Sequence, residues 1–345
     1  MPVRYGIIGC GAIAQRRHIP ECVANPDSKL VAVCDPVKER VDEIAKKWSA
    51  KAYTDFNKML ENKDIDAIVV AGPNSLHAEH SIAALNAGKH VLCEKPMAVT
   101  REDGKAMLAA QKKSKKFLMI GLNQRLMPAH IRAKEILEGG KLGKPFAFRT
   151  AFKHPGPEGW AIDGGKSWFF NKGAAIMGVC GDLGVHKVDL MRWLLGQEFT
   201  EVSGVLATLD KKGPDGKAIP LDDNAFLTLK TQKGIVGSMI LSWTNYGAEE
   251  NYTVIYCSKG VLKLGVDPVY GVQVEYKNGD RELHKVGEMS TNTKQVASGI
   301  IDLFTKSITE NKKPKIDGLE GYKSMDVILT AMEAAIAKQT LSISK

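Results

Sequence analysis

The first 120 residues alternate short apolar runs with stretches of helical length, and the first run leads straight into a glycine turn. Arg4-Tyr5-Gly6-Ile7-Ile8 precedes Gly9-Cys10-Gly11-Ala12-Ile13-Ala14, which fits G-x-G-x-x-A between a strand and a helix. Gly9 permits the tight turn, Gly11 lets backbone approach a pyrophosphate, and Ala14 lets the helix pack close to the sheet. A helix opening at Ala12 and Ile13 offers free N–H groups and a positive field to phosphates. The spacing predicts a dinucleotide-binding unit.

Leu30–Cys34, Ala67–Val70, His90–Cys93 and Phe117–Ile120 read as further strands. Helices are expected from about Ala12 to Ala24, through Lys47, and from His77 to Ala87, the last stopped by Gly88. Such a series argues for an α/β fold with a parallel, doubly wound Rossmann sheet over residues 1–122. After Gly121 a helix spans about Pro128 to Glu138 and ends at Gly139-Gly140. Strand patterns follow at 146–152, 202–209, 225–230, 236–243, 252–257, 261–264 and 272–276, interrupted by one helix near Asp182 to Leu195. Residues 123–345 therefore read as an α+β domain on an open, mostly antiparallel sheet. Two late helices are expected near Thr293–Glu310 and Tyr322–Lys338, the last packing back on the N-terminal domain.

The 345 residues suit two domains, and 44% apolar with 25% charged residues is an ordinary globular balance. The longest apolar runs, such as Ala67 to Gly72, are too short to cross a bilayer. Met1-Pro2-Val3-Arg4 passes directly into a strand, leaving no room for a signal peptide, so a cytoplasmic location is expected. Six scattered cysteines without a C-x-x-C pair read as buried reduced thiols. The net charge of +9 peaks at Lys112-Lys113-Ser114-Lys115-Lys116, a solvated lysine face at a helix end. No aromatic residues interleave with it to stack bases, so no nucleic-acid partner is expected.

Asp35 ends the second strand, where a carboxylate accepts hydrogen bonds from the adenosine ribose and repels a 2′-phosphate. NAD is the expected cofactor over NADP, although Lys38 and Arg40 lie nearby. Gly72-Pro73-Asn74 follows the next strand and should line the cofactor, with His77 opening the helix beyond it. His77 and His80 stand at i, i+3, but no third ligand accompanies them and no metal is expected. Glu94-Lys95-Pro96 places a cation at the end of the His90–Cys93 strand.

Gly9-x-Gly11-x-x-Ala14, Pro73-Asn74-x-x-His77, Glu94-Lys95-Pro96 and the run Gly181-Asp182-Leu183-Gly184-Val185-His186-Lys187-Val188-Asp189 occur together and in order. With Gly121-x-x-x-Arg125-x-x-Pro128, they make the whole chain resemble the Gfo/Idh/MocA oxidoreductases, named for glucose-fructose oxidoreductase and inositol dehydrogenase. The resemblance implies a Rossmann domain, then a substrate-binding and oligomerisation domain whose sheet joins subunits into homodimers or homotetramers. It implies that Lys95 contacts substrate catalytically and that Asp182 and His186 form an Asp-x-x-x-His pair with the histidine as proton acceptor. The residues agree: a helix sets positions 182 and 186 one turn apart, and imidazole titrates near neutrality. Lys95 would polarise the reacting oxygen. Arg125, His154 and Trp168 are further candidates for substrate binding, and Arg40, His77, Glu94 and Lys95 for cofactor binding. In place of the glycine run that many members carry, this chain has Lys172-Gly173-Ala174-Ala175-Ile176-Met177-Gly178.

The expected activity is NAD(H)-dependent oxidation or reduction of a secondary alcohol or ketone on a sugar, inositol or related polyol. One alternative is glycoside cleavage through transient sugar oxidation and elimination. Another is a non-catalytic, NAD-responsive regulator.

Overall fold

The computed structural model describes residues 1–286 and 297–343. It divides into two compact units. The first contains a six-stranded parallel sheet of β1 (Val3–Ile8), β2 (Ser28–Cys34), β3 (Lys51–Tyr53), β4 (Ala67–Val70), β5 (His90–Cys93) and β6 (Leu118–Ile120). The strand order β3-β2-β1-β4-β5-β6 reverses direction between β1 and β4, a topological switch point where ligands lie beyond the strand ends. Tyr5, Ile7, Val33, Ile68, Val69, Leu92 and Met119 are fully buried, which explains why these strands read as continuous apolar runs. β3, three residues with none fully buried, carries no such signal. Thr100 caps the helix Arg101–Ser114 by accepting from Asp103 N at 3.1 Å, and Lys112 and Lys113 occupy its last turn, exposed as expected.

The N-terminal unit is larger than residues 1–122. Trp160–Ile176 and residues 297–325 belong to it rather than to a continuous 123–345 domain. The reason is tertiary. Tyr5 Oη lies 2.8 Å from Thr305 Oγ1, Ile120 N donates to Ile316 O at 3.0 Å, and Glu21 accepts from Ser298 Oγ at 2.6 Å. The late helices are Ile300–Thr309 and Gly318–Ala337, the unit boundary falling after Met325 within the second. The expected helix start near Thr293 lies outside the described residues.

The second unit is built on a nine-stranded sheet. Its strands are β7 (Pro145–Lys153), β8 (Phe199–Ala207), β9 (Asn224–Thr231), β10 (Val236–Ser242), β11 (Glu250–Cys257), β12 (Gly260–Leu264), β13 (Val272–Tyr276), β14 (Arg281–His284) and β15 (Leu341–Ser342). The order is β14-β13-β12-β11-β7-β10-β9-β8-β15, and β7 pairs with β10 in parallel while the other pairs are antiparallel. Leu227, Leu229, Met239, Leu241 and Trp243 are buried, whereas Val205 and Phe226 on the neighbouring strands β8 and β9 are exposed. The sheet thus has one covered face and one open face, on which Val205 and Phe226 stand among exposed polar residues such as Thr228, Lys230 and Ser238.

All six cysteines are buried and reduced, in line with their apolar settings. Burial pushes the Cys10, Cys22, Cys34 and Cys93 thiols up to about 12.

Candidate active site

In the first unit the nucleotide loops meet at the ends of β1, β2 and β4. Gly9 has φ +91°, and a Cβ there would stand 2.6 Å from Gly72 N, so only glycine lets the first and third loops touch. A Cβ on Gly11 or Gly72 would meet nothing within 4 Å, so both backbones face open space. Asp35 turns back into the glycine loop: Oδ2 accepts from Cys10 N at 2.9 Å and Oδ1 from Val37 N at 3.0 Å. Arg40 Nη1 lies 3.5 Å from Asp35 Oδ1 and Nη2 lies 3.3 Å from Asp163 Oδ1. Asn74, buried, donates to Ala175 O at 3.2 Å, so the returning segment is fastened to the loop that Pro73 begins.

The helix after the glycine loop opens at Ala12 and Ile13 but widens into a π-turn over Ala14–His18 before the α-helix Ile19–Ala24. Arg17 and His18 are both buried there. His18 Nε2 lies 2.8 Å and Arg17 Nη1 3.9 Å from Glu94 Oε1. Burial alone would raise the Glu94 carboxyl, but the hydrogen bond and charge of His18, with Arg17 and Lys95, hold it well below the carboxylate range. Glu94 Oε2 accepts from Lys95 N at 3.1 Å, and Lys95 itself is half-buried. His77, also buried, brings Nδ1 to 2.7 Å from Pro96 O and Nε2 to 3.0 Å from Gly72 O.

In the second unit, a π-turn over Cys180–Gly184 runs into the helix Val185–Leu195. π-turns are rare, and they concentrate at functional sites. Asp182 lies within this one and His186 just beyond it, so their spacing departs from the regular helical turn that the sequence predicts. Both are buried. Asp182 Oδ2 accepts from Trp243 Nε1 at 3.0 Å and lies 3.8 Å from His154 Nε2. His154 Nδ1 accepts from Gly156 N at 2.9 Å, which leaves its proton on Nε2, facing Asp182. The Phe152 ring touches both histidines, with centroids 5.9 Å from His154 and 6.5 Å from His186.

Asp222 holds the strand of backbone leading into this turn. Its carboxylate accepts from Gly178 N at 3.3 Å and Cys180 N at 2.9 Å, and its carbonyl from Val179 N at 2.8 Å. A Cβ at position 178 would lie 2.0 Å from Asp222 O, so that position requires glycine. Ile176 takes φ +60°, uncommon for a β-branched residue. Lys172–Ala175 forms a short helix capped by Asn171.

Arg125 is tied to the helix that carries His186, through Asp189. It makes a bidentate, buried pair with Asp189, Nε to Oδ2 at 2.7 Å and Nη2 to Oδ1 at 2.5 Å. Trp168 lies in the segment belonging to the first unit and stacks on Phe169 at 3.9 Å. Among the described residues no three His, Cys, Asp or Glu side chains gather as a metal site.

Comparison with known proteins bears on this arrangement. Residues 3–122 match the oxidoreductase family with NAD-binding Rossmann fold, and residues 130–263 match the GFO/IDH/MocA C-terminal domain. A levoglucosan dehydrogenase from Pseudarthrobacter phenanthrenivorans is 33% identical over 275 residues, 73% of this chain and 68% of the relative. The chain belongs to the Gfo/Idh/MocA oxidoreductase family. Other members similar to it include a myo-inositol 2-dehydrogenase of Thermotoga maritima, 25% identical and covering 99% of each chain. Among solved members, a levoglucosan dehydrogenase in complex with NADH superposes with TM-score 0.87 at 25% identity, covering 100% of both chains. An aldose-aldose oxidoreductase from Caulobacter crescentus, complexed with glycerol, gives 0.84 at 26%, covering 99% of this chain and 100% of that one.

As a Gfo/Idh/MocA oxidoreductase the chain binds NAD through its Rossmann domain, and the residues present fit that group. The open backbone at Gly11 and Gly72 leaves room for a pyrophosphate, and Asp35 stands at the strand end proper to the ribose. Three contributors escape a reading of the sequence. Trp243 is 61 residues from Asp182, Asp222 is 42 residues from Cys180, and His18 is 76 residues from Glu94. None carries a local motif. The π-turns also leave no trace in the hydrophobic period.

Proposed function

We propose that this protein oxidises or reduces a secondary alcohol or ketone of a sugar, inositol or related polyol, with His186 as acid/base and Lys95 polarising the reacting oxygen. The observation that carries the reading is the Asp182 environment. A buried carboxylate takes the indole N–H of Trp243 and faces the Nε2 proton of His154, beside the histidine proposed as base. NAD supplies hydride transfer at the nicotinamide. Gly9, Gly11, Ala12, Ile13, Asp35, Gly72, Pro73 and Asn74 would hold it, with Arg40 beside the ribose acid. His186 takes the hydroxyl proton as the carbonyl forms, and returns it in reduction. A lysine ammonium at the same oxygen stabilises developing alkoxide. Asp182 and His154 bind substrate hydroxyls or keep the imidazole oriented.

The named relatives act on inositol and on anhydrosugars, which supports a ring of adjacent secondary hydroxyls as the substrate class. The open face of the nine-stranded sheet, with Val205 and Phe226 exposed, supports assembly into a homodimer or homotetramer. The reading extends to a cytoplasmic enzyme; no helix among the described residues is long and apolar enough to cross a membrane.

A panel of inositols, anhydrosugars, aldoses and sugar acids, followed by NADH absorbance, tests the reading. Turnover of at least one class with NADH formation or consumption is expected. Release of nitrophenol from a nitrophenyl glycoside with no net NADH change would replace it with glycoside cleavage. Tight NADH binding with no turnover of any compound would refute catalysis.

A further inference from the structure

Two histidines that the proposed chemistry does not use hold the backbone on either side of Lys95. On the N-terminal side, Glu94 turns its carboxylate inward. Oε1 faces the fully buried His18 at 2.8 Å, and Oε2 takes the Lys95 amide at 3.1 Å. On the C-terminal side, the Pro96 carbonyl meets His77 Nδ1 at 2.7 Å. The other nitrogen of that ring lies 3.0 Å from the carbonyl of Gly72, in the loop that lines the nucleotide site. One imidazole therefore joins the loop after β4 to the loop after β5.

An apolar side chain would fill this place without the cost of burying an imidazole. What it would lack is direction. Two short polar contacts bring two strand-end loops to one ring at the start of the helix His77–Asn86. Both partners are carbonyl oxygens, so the neutral ring donates to one of them and meets the other as a close polar contact. Burial outweighs the Pro96 and Gly72 carbonyls and the Glu94 charge and leaves His77 below its ordinary value, so the neutral ring prevails at neutral pH. Lys95 opposes its charge; on the same helix Glu79 is exposed to solvent and His80 is itself pushed down to about 4 by burial.

We propose that His77 is a positioning residue: through Pro96 it sets the backbone that carries Lys95, with the His18–Glu94 pair holding the other side, and through Gly72 it links that placement to the nucleotide loop. The inference rests on the reading that Lys95 acts on the substrate oxygen. Displacing a catalytic group by an ångström costs on the order of a hundredfold in rate.

The two contacts can be separated by isosteres. The side-chain amide of Asn stands where Nδ1 does and reaches Pro96; that of Gln stands where Nε2 does and reaches Gly72. His77→Asn, His77→Gln, His77→Leu and Lys95→Met are compared for kcat and KM with the fastest compound of the panel, and for NADH affinity by fluorescence. His77→Asn is expected to keep kcat within about threefold, while His77→Gln and His77→Leu lose about ten- to a hundredfold with KM little changed. NADH binding should weaken in the Asn and Leu variants and hold in the Gln variant. Equal kcat for Asn and Gln, or parental kcat for Leu, would overturn the proposal. Should the His77 variants not fold, His18→Gln and His18→Leu decide it on the other side: Gln keeps a donor to Glu94 and should keep turnover, and equal rates overturn the clamp. Lys95→Met separates the two levels. Parental kcat/KM there removes the underlying role of Lys95, whereas an inactive Lys95→Met beside a fully active His77→Leu removes only the clamp.

Discussion

Lys187, next to the proposed base, is fully buried: Nζ lies 3.3 Å from Tyr252 O, 3.5 Å from Thr253 Oγ1 and 5.9 Å above the Phe152 ring. Burial pushes its pKa down from 10.5 to about 7, with Glu249 acting weakly the other way. In the unfolded chain the lysine holds its proton to about pH 10.4. Between about pH 7 and that value the unfolded state binds more protons than the folded one, so the parent gains stability as pH rises through this window. Below pH 7 both states are charged, and the folded state bears the whole desolvation cost, roughly 4–5 kcal/mol from the difference in pKa. Lys187→Met keeps the volume and removes the charge. It should be more stable than the parent at pH 6.5 by several kcal/mol, and the gap should narrow by roughly 3 kcal/mol at pH 9. Urea unfolding at both pH values measures it. The raised thiols work in the opposite sense near pH 9, but they are common to both proteins and cancel in the difference. A gap that is equal at the two pH values, or a variant less stable at pH 6.5, would refute the argument.

Other outcomes follow from single contacts. His186→Ala should lower kcat by roughly a hundredfold or more, the usual scale for a general base, with NADH affinity retained in a fluorescence titration. Asp35→Ala should reduce the preference for NADH over NADPH by about tenfold, because a charge-assisted acceptor for the ribose and a repulsion of the 2′-phosphate go together; equal loss of both cofactors would mean that Asp35 serves only to hold Cys10 N. Asp189→Ala leaves the Arg125 guanidinium buried without its carboxylate, and should destabilise by about 3–5 kcal/mol in urea, while Arg125→Met combined with Asp189→Leu should recover most of that loss. Trp243→Phe removes the indole donor to Asp182 and should lower kcat/KM about three- to tenfold with the melting temperature changed by only a few degrees.

Much of the first unit is legible because most of its strands are buried on both faces, so β1, β2, β4, β5 and the edge strand β6 stand out as apolar runs between helices. β3, β14 and β15 are short edge-side strands with half-exposed residues, and nothing in composition marks them. Beyond residue 122 the division into units is legible only in the return of the last helix, whose residues up to Met325 belong to the first unit. Trp160–Ile176 returns to the Rossmann sheet through Arg40–Asp163 and Asn74–Ala175 contacts, which join residues more than 100 positions apart. Arg125 illustrates another limit. Its motif position marks it as a substrate residue, but only the fold reveals Asp189 one helix away as the partner of its guanidinium.

The π-turns at Ala14–His18 and Cys180–Gly184 share a physical logic. Each extra residue in a turn forfeits regular backbone geometry, and is kept only where the side chains it redirects are worth the loss. In the first, it lets the consecutive residues Arg17 and His18 both lie buried and near the Glu94 carboxylate. In the second, it carries Asp182 to Trp243 and His154 just ahead of His186. Lys187 falls in the same neighbourhood and is costly for the same reason, a buried charge on the helix that presents the proposed base. If Lys187→Met gains stability and keeps its turnover, the buried ammonium is a tolerated burden. If it gains stability and loses turnover, the charge beside Phe152 belongs to the environment that His186 needs, and stability has been yielded there for function.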